Sequence, residues 1–309
     1  MSFEKSPFVM IYQILLIVTI LVACKKPSSP VENSPFEAGK KLGVNTNQKL
    51  EEASGLAASV RYPGWVWSHN DSGHPPELFL LNAVGETKAT YVLTGIKNRD
   101  WEDIALGPGP DSTTWIYVGD IGDNDASHKF KRIHCLEEPL LDNPGPLAVK
   151  RTLVIRMADQ PRDTEALMVD PISRNIYLVT KREKSVKLYE IQFPFLADTL
   201  TATPLIDLPL KHIVAGDISP DGTEILLKSY NAIYYWKRSL DQSISDAMKL
   251  PATKLDYKHE AQGESIAWAG DASGFYTLSE NAKGERGQLL FYARKPTGDS
   301  LRRSPGITQ

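Results

Sequence analysis

The 309-residue chain has two cysteines, six histidines and no excess of basic charge, and these scarcities remove several classes of protein. Cys24 and Cys135 are too few for a disulfide framework, and the histidines are not clustered with cysteine, so neither a stapled scaffold nor a zinc site is expected. Lysine and arginine number 35 against 38 acids, a net charge of -3, which argues against nucleic acid as a partner. No long 3.6-residue periodicity follows the N-terminal segment, so helices contribute little. No Gly-x-Ser-x-Gly elbow is present, and Ser54, Ser72 or Ser265 beside an acid is not a triad. Cys135, within Arg132-Ile133-His134-Cys135-Leu136, reads as a small buried hydrophobe in a strand rather than a nucleophile.

The one apolar run, Ile14 to Val22 after Lys5, is short for a membrane span and suits the core of a signal peptide. It ends in Leu21-Val22-Ala23-Cys24, which resembles the bacterial lipobox, so residues 1–23 are expected to be removed and Cys24 to carry the lipid, palmitate included. Residues 24–50, rich in Pro, Ser, Asn and Lys, bury too little apolar surface to fold and read as a flexible tether to a body spanning 51–309. The expected location is the cell envelope, anchored in the outer membrane, because Lys25 stands where an Asp would favour inner-membrane retention.

Repetition is what the chain has in abundance. Acid-led apolar runs recur as Glu52-Ala53-Ser54-Gly55-Leu56-Ala57, Trp101-Glu102-Asp103-Ile104-Ala105, Thr164-Glu165-Ala166-Leu167-Met168, Gly216-Asp217-Ile218 and Gly263-Glu264-Ser265-Ile266-Ala267. Their spacing of roughly 45 to 65 residues is the length of a four-stranded blade. Within the first unit, strands are expected at Ser54 to Ser59, Trp65 to His69, Leu78 to Asn82 and Thr87 to Leu93, with Gly- and Pro-bearing turns between. The fold class is therefore all-β, a single β-propeller with five blades preferred to six. The last unit runs out of strand-like sequence near Ala293, so Lys40 to Leu50 is the segment expected to supply its outer strand and close the ring.

Strand direction separates two faces. Starts of first strands and ends of second strands share one mouth of the channel, and those positions hold His69-Asn70-Asp71-Ser72-Gly73, Asn98-Arg99-Asp100-Trp101-Glu102-Asp103, Gly119-Asp120-Ile121-Gly122-Asp123-Asn124-Asp125, Arg162-Asp163-Thr164-Glu165 and Ser279-Glu280-Asn281. The opposite face receives ordinary turns such as Ser219-Pro220-Asp221-Gly222. Five motifs, His69-Asn70-Asp71-Ser72-Gly73, Asn98-Arg99-Asp100-Trp101-Glu102-Asp103-Ile104-Ala105, Gly119-Asp120-Ile121-Gly122-Asp123-Asn124, Thr164-Glu165-Ala166-Leu167 and Gln262-Gly263-Glu264-Ser265-Ile266-Ala267, resemble those of an uncharacterised family of secreted bacterial propeller proteins, and the resemblance spans Glu51 to Ala293. It implies the fold and transfers no catalytic residue, since that family has no established activity. In architecture alone, acid-led inner strands are similar to calcium-binding propellers of the gluconolactonase and β-propeller phytase type.

Like charges converging on a channel must be neutralised by a cation, by Arg or Lys, or by protonation. Oxygen donors suit Ca²⁺ or Mg²⁺, and the candidate ligands are Glu52, Asp71, Glu102, Asp120, Glu165, Asp217 and Glu264, with Asn70, Asp100, Asp103, Asp123, Asn124 and Glu280 as further binding groups. Asp120 to Asp125 does not follow the EF-hand pattern: Asp125 replaces the Gly and Lys131 the bidentate acid. The competing account has each leading acid bonded to backbone N–H groups or to Arg99 or Arg162. His69 is the candidate general base, or else a turn-stabilising donor. Two functions fit. One is a monomeric, lipid-anchored module holding a structural cation and binding a small molecule or protein; the other is a metal-dependent phosphoester or lactone hydrolase.

Overall fold

The computed structural model describes residues 34–111, 113–142, 144–282 and 284–296. The expected signal peptide, Cys24 and the first part of the tether lie outside the described residues. Segments such as Glu77–Leu81 and Ile176–Thr180 are buried at every position, since each sheet is covered on both faces. Alternate residues then serve different neighbours: Leu78 and Leu80 pack towards one adjacent sheet, Phe79 and Leu81 towards the other.

The strands run in chain order. β1 (Lys40–Val44) comes first and belongs to the last blade. Blade one holds β2 (Ala53–Ala58), β3 (Val66–Asn70), β4 (Glu77–Leu81) and β5 (Thr87–Thr94); blade two holds β6 (Trp101–Pro108), β7 (Thr114–Asp120) and β8 (Lys131–Glu137). Between them in space, β9 (Pro146–Ala148) runs parallel to β5. Then β10 (Arg151–Met157) completes blade two, and β11 (Thr164–Val169), β12 (Ile176–Thr180), β13 (Val186–Ile191) and β14 (Leu200–Leu208) form blade three. Blade four comprises β15 (Ile213–Ile218), β16 (Glu224–Ser229), β17 (Ala232–Lys237) and, after the short helix α1 (Ile244–Met248), β18 (Thr253–Leu255). Blade five comprises β19 (Ser265–Trp268), β20 (Gly274–Leu278) and β21 (Gln288–Ala293), with β1 added antiparallel to β21.

The inner strands neighbour one another in a closed cycle, β2–β6–β11–β15–β19–β2, so the ring has five blades. Five separate apolar clusters fill the five clefts between adjacent blades, which is where folding free energy is gathered, at about 25 cal/mol per Å² of apolar surface buried. Blades two and three are further joined at their rims by the parallel pair β10–β14. Closure by the N-terminal strand follows expectation. It also corrects the tether: Ser34 and Phe36 are buried, Phe36 packs on Tyr235, Trp268 and Phe275, and Leu50 is buried, so the chain is folded from residue 34 onward.

Cys135 lies in β8 in the cleft between blades two and three, where burial pushes its thiol far above the usual range. It serves as a packing residue.

Candidate functional site

A β-bulge interrupts the pairing of the first two strands at the channel mouth in blades one to four. The extra residue is Gly55 in β2, Glu102 in β6, Glu165 in β11 and Val214 in β15. A bulged residue is left out of the ladder and re-aimed, and this brings the carboxylates of Glu102 and Glu165 together at the acidic mouth. Each is preceded two residues earlier by an Asp on the same side of the chain, Asp100 and Asp163. Gly55 has φ +73°, and a Cβ there would stand 2.8 Å from His69 Nε2 and from the Ile104 N, so only glycine allows the close approach of blade two.

Two carboxylate triads result. Asp71, Asp100 and Glu102 form one and Glu102, Asp163 and Glu165 the other, with one oxygen from each residue lying within 4.8 Å of its fellows. Glu102 is common to both. It is 4% exposed, and among the described residues its carboxylate accepts no hydrogen bond and has no ion-pair partner. The second triad is partly compensated, with Lys181 Nζ 2.8 Å from Glu165 Oε2 and Arg182 Nε 2.5 Å from Asp163 Oδ2. The Asp123 N–H also donates to Asp163 Oδ1 at 2.9 Å. For Asp71 and Asp100, as for Glu102, no cationic side chain among the described residues comes within ion-pair distance.

Burial and mutual repulsion shift these groups upward. Burial, then Glu165, Asp71 and Asp100, hold the Glu102 carboxyl well above the carboxylate range. Burial against the pull of Lys181 brings Glu165 to about 8. Burial, with Glu264, Asp100 and Glu52 nearby, raises Asp71 to about 6, and burial followed by Asp163 raises Asp100. Glu280, at the same mouth, is pushed to about 8 by burial and then Glu264. Concentrated carboxylates of this kind gain most from a bound cation.

The remaining expected residues are dispersed. Glu264 is buried at the mouth and accepts the Tyr230 hydroxyl at 2.5 Å, outside both triads. Glu52 is on the rim, its side chain 49% exposed and 3.4 Å from His74 Nδ1. Asp120 stays at the mouth but belongs to neither triad: its Oδ1 accepts the Asp100 N–H at 3.1 Å and lies 3.3 Å from Arg99 Nε, so it positions Asp100. Asp217 contradicts the expected common ring. It lies three residues beyond the bulge of its strand, lines a cavity at the opposite mouth, and accepts the N–H groups of Ile218 and Trp268. The sequence match of Gly216-Asp217-Ile218 was out of register with the other repeats.

Among the further binding groups, Asn70 is structural, its Oδ1 accepting from the backbone of Glu51 and Glu52. Asp123 folds its own loop, accepting the N–H groups of Ser127 and His128, while Asn124 accepts from Arg182. Asp103 is buried in the channel and bonds three backbone N–H groups, those of Ile104, Leu167 and Gly216. His69 is fully buried against Trp101, donates from Nδ1 to the Asn70 carbonyl at 2.9 Å, and is driven by burial to about 4. Such a neutral, enclosed imidazole fits the turn-stabilising reading and is not placed to act as a general base on a ligand at the mouth. Asp163, Lys181 and Arg182 complete the site without having been singled out as ligands, although Asp-x-Glu in Asp100-Trp101-Glu102 and again in Asp163-Thr164-Glu165 was the legible signal.

No protein-family model matches the chain, and no curated protein does. Among solved structures, the propeller of Dos1 aligns over 79% of this chain and 68% of its own, at 10% identity and a TM-score of 0.37. The five-bladed assignment rests on strand order and the closed cycle of inner strands.

Proposed function

We propose that this protein is a cell-envelope propeller whose acidic mouth holds a divalent hard cation and presents it, with Lys181, Arg182 and Tyr230 around it, to a small molecule or protein ligand. Kinship with the uncharacterised secreted propellers and anchoring through a lipid on Cys24 belong to the same reading. The observation that carries it is Glu102: a buried residue shared by two triads, whose carboxylate has no hydrogen-bond or ion-pair partner among the described residues. An isolated buried charge of this sort is costly unless paired or metal-bound. Carboxylate oxygens spread over 4.8 Å or less fit one ion with 2.3–2.6 Å contacts, and the irregular donor set favours Ca²⁺ over Mg²⁺, which demands near-octahedral geometry.

Calorimetric titration of Ca²⁺ into chelator-stripped protein is the test. One site is expected, weakened at least about ten-fold in Glu102→Gln, because the amide keeps the shape and loses the charge. Absence of Ca²⁺ and Mg²⁺ binding to the wild type would sink the reading and leave the acids as blade-to-blade acceptors.

A second reading, cation-dependent hydrolysis of a phosphoester or lactone, draws on Glu280, whose value of about 8 puts a carboxyl at this mouth in acid–base range. Release of nitrophenol from p-nitrophenyl phosphate, dependent on Ca²⁺ or Mg²⁺ and lost in Glu280→Gln, would select it.

A further inference from the structure

The channel's second mouth has a different chemistry. The C-terminal ends of the inner strands surround a cavity of about 260 Å³ to which all five contribute apolar residues: Ala57 and Ala58, Leu106 and Pro108, Val169, Ile218, and Trp268. Among the described residues lining it, Asp217 is the single ionisable side chain. Its carboxylate is held rigidly, Oδ1 accepting the Ile218 N–H and Oδ2 the Trp268 N–H, both at 2.8 Å. Each oxygen keeps a lone pair free beyond those bonds. No Lys, Arg or His contributes to its electrostatics, and burial pushes the carboxyl up to about 7.

We propose that this cavity binds a small primary amine with a compact apolar body, its ammonium on the Asp217 carboxylate and its body against the five inner-strand walls. The chemistry narrows the ligand class. One carboxylate supplies too few oxygens for a hard cation. An anion would meet a carboxylate and, among the described residues lining the cavity, no positive side chain. A neutral apolar molecule would fill the walls but displace water from the carboxylate and offer it no donor or charge beyond the Ile218 and Trp268 N–H groups, which is costly. The volume falls just below the roughly 300–1,000 Å³ of drug-sized sites, which suits a single ring or short chain.

The test uses the whole protein and two probes of equal shape, 2-phenylethylamine as its hydrochloride and 2-phenylethanol, titrated calorimetrically. Wild type is expected to bind the amine at least about ten-fold tighter than the alcohol, since the charge pair with the half-buried Asp217 carries the difference. Asp217→Asn should erase that preference, and Ala58→Phe, which fills the cavity from the end of β2, should weaken both probes. Saturating Ca²⁺ should leave amine affinity unchanged, because the acidic mouth is a separate site. Equal binding of amine and alcohol by the wild type, no binding of the amine, or its displacement by Ca²⁺ would each overturn the proposal. If Asp217→Asn fails to fold, the wild-type comparison, the Ca²⁺ competition and Ala58→Phe still decide.

Discussion

Asp103 of blade two reaches across the channel to Gly216 of blade four, its Oδ2 accepting the Gly216 N–H at 3.3 Å while it also accepts the Leu167 N–H of blade three at 2.9 Å. One side chain thereby ties three blades at the axis, where inner strands have no ladder partner on that side. Burial holds its carboxyl well above the usual range.

Replacing Asp103 by Ala should therefore cost stability rather than ligand binding. Three buried N–H groups, those of Ile104, Leu167 and Gly216, lose their acceptor, and leaving such a donor unsatisfied costs about 1–3 kcal/mol each. Urea unfolding of Asp103→Ala should show a loss of about 3 kcal/mol or more; a change under about 1 kcal/mol would mean that these bonds do not hold the blades together.

Gly122 tests the cradle of the acidic mouth. A Cβ at this position would overlap Glu102 Oε1 and stand 2.5 Å from Asp100 Oδ2, so Gly122→Ala must displace the shared ligand. Its backbone is not in the left-handed region, so the methyl acts on the carboxylates and not through backbone strain. Ca²⁺ affinity is expected to fall by about ten-fold or more, with a smaller effect on the melting of the cation-free protein. Unchanged affinity would place the cation away from Glu102.

The pH dependence of the cation-free protein follows from the raised acids. Glu165 and Glu280 near 8 and Asp217 near 7 bind protons more tightly in the folded state than their ordinary 4.5 and 3.8 allow unfolded. Their contribution is complete below the unfolded values and is lost as pH rises through the folded ones. His69 and His134, lowered from 6.5 to about 4, act with the opposite sign below 6.5, and Lys228, lowered to about 8, does so above 8. The window from 6.5 to 8 thus isolates the acids, and the melting temperature should fall across it. Ca²⁺ at a hundredfold excess over Kd should add about 2.7 kcal/mol, roughly 5 °C, at the upper end of that window. A melting temperature that is flat or rising from pH 6.5 to 8 without cation would contradict the placement of these carboxyls.

Cys24→Ser addresses location. If Cys24 carries the proposed lipid, the substitution should leave the protein unprocessed or released, as read by membrane fractionation and N-terminal mass. Maturation to the same N-terminus with retention in the membrane fraction would refute the lipoprotein reading.

Much of the architecture was legible along the chain because its determinants are local. Buried runs such as Ile176–Thr180, turns such as Ser219-Pro220-Asp221-Gly222, and the recurring acid-led segments each encode one strand or one reversal, and five copies encode five blades. The face on which Asp71, Glu102 and Glu165 lie followed from strand direction alone. The polar composition of residues 24–50 misled where it suggested a tether throughout, because Ser34, Phe36 and Leu50 find their burial against the far end of the chain and against blade one, contacts that composition cannot reveal.

Which acids meet was decided only in three dimensions. An acid two or three residues along a strand moves by about 7–10 Å along the channel, and the bulges set that offset: Glu102 and Glu165 occupy them, whereas Val214 does so in blade four and leaves Asp217 to open on the other mouth. Asp163 entered the site because Glu102 lies between its blade and blade one, a neighbourhood created by ring closure. Chain order and hydrophobic pattern specify the blades, since each is built from adjacent sequence; the sites belong to the ring, since their residues come from different blades and converge only when it closes.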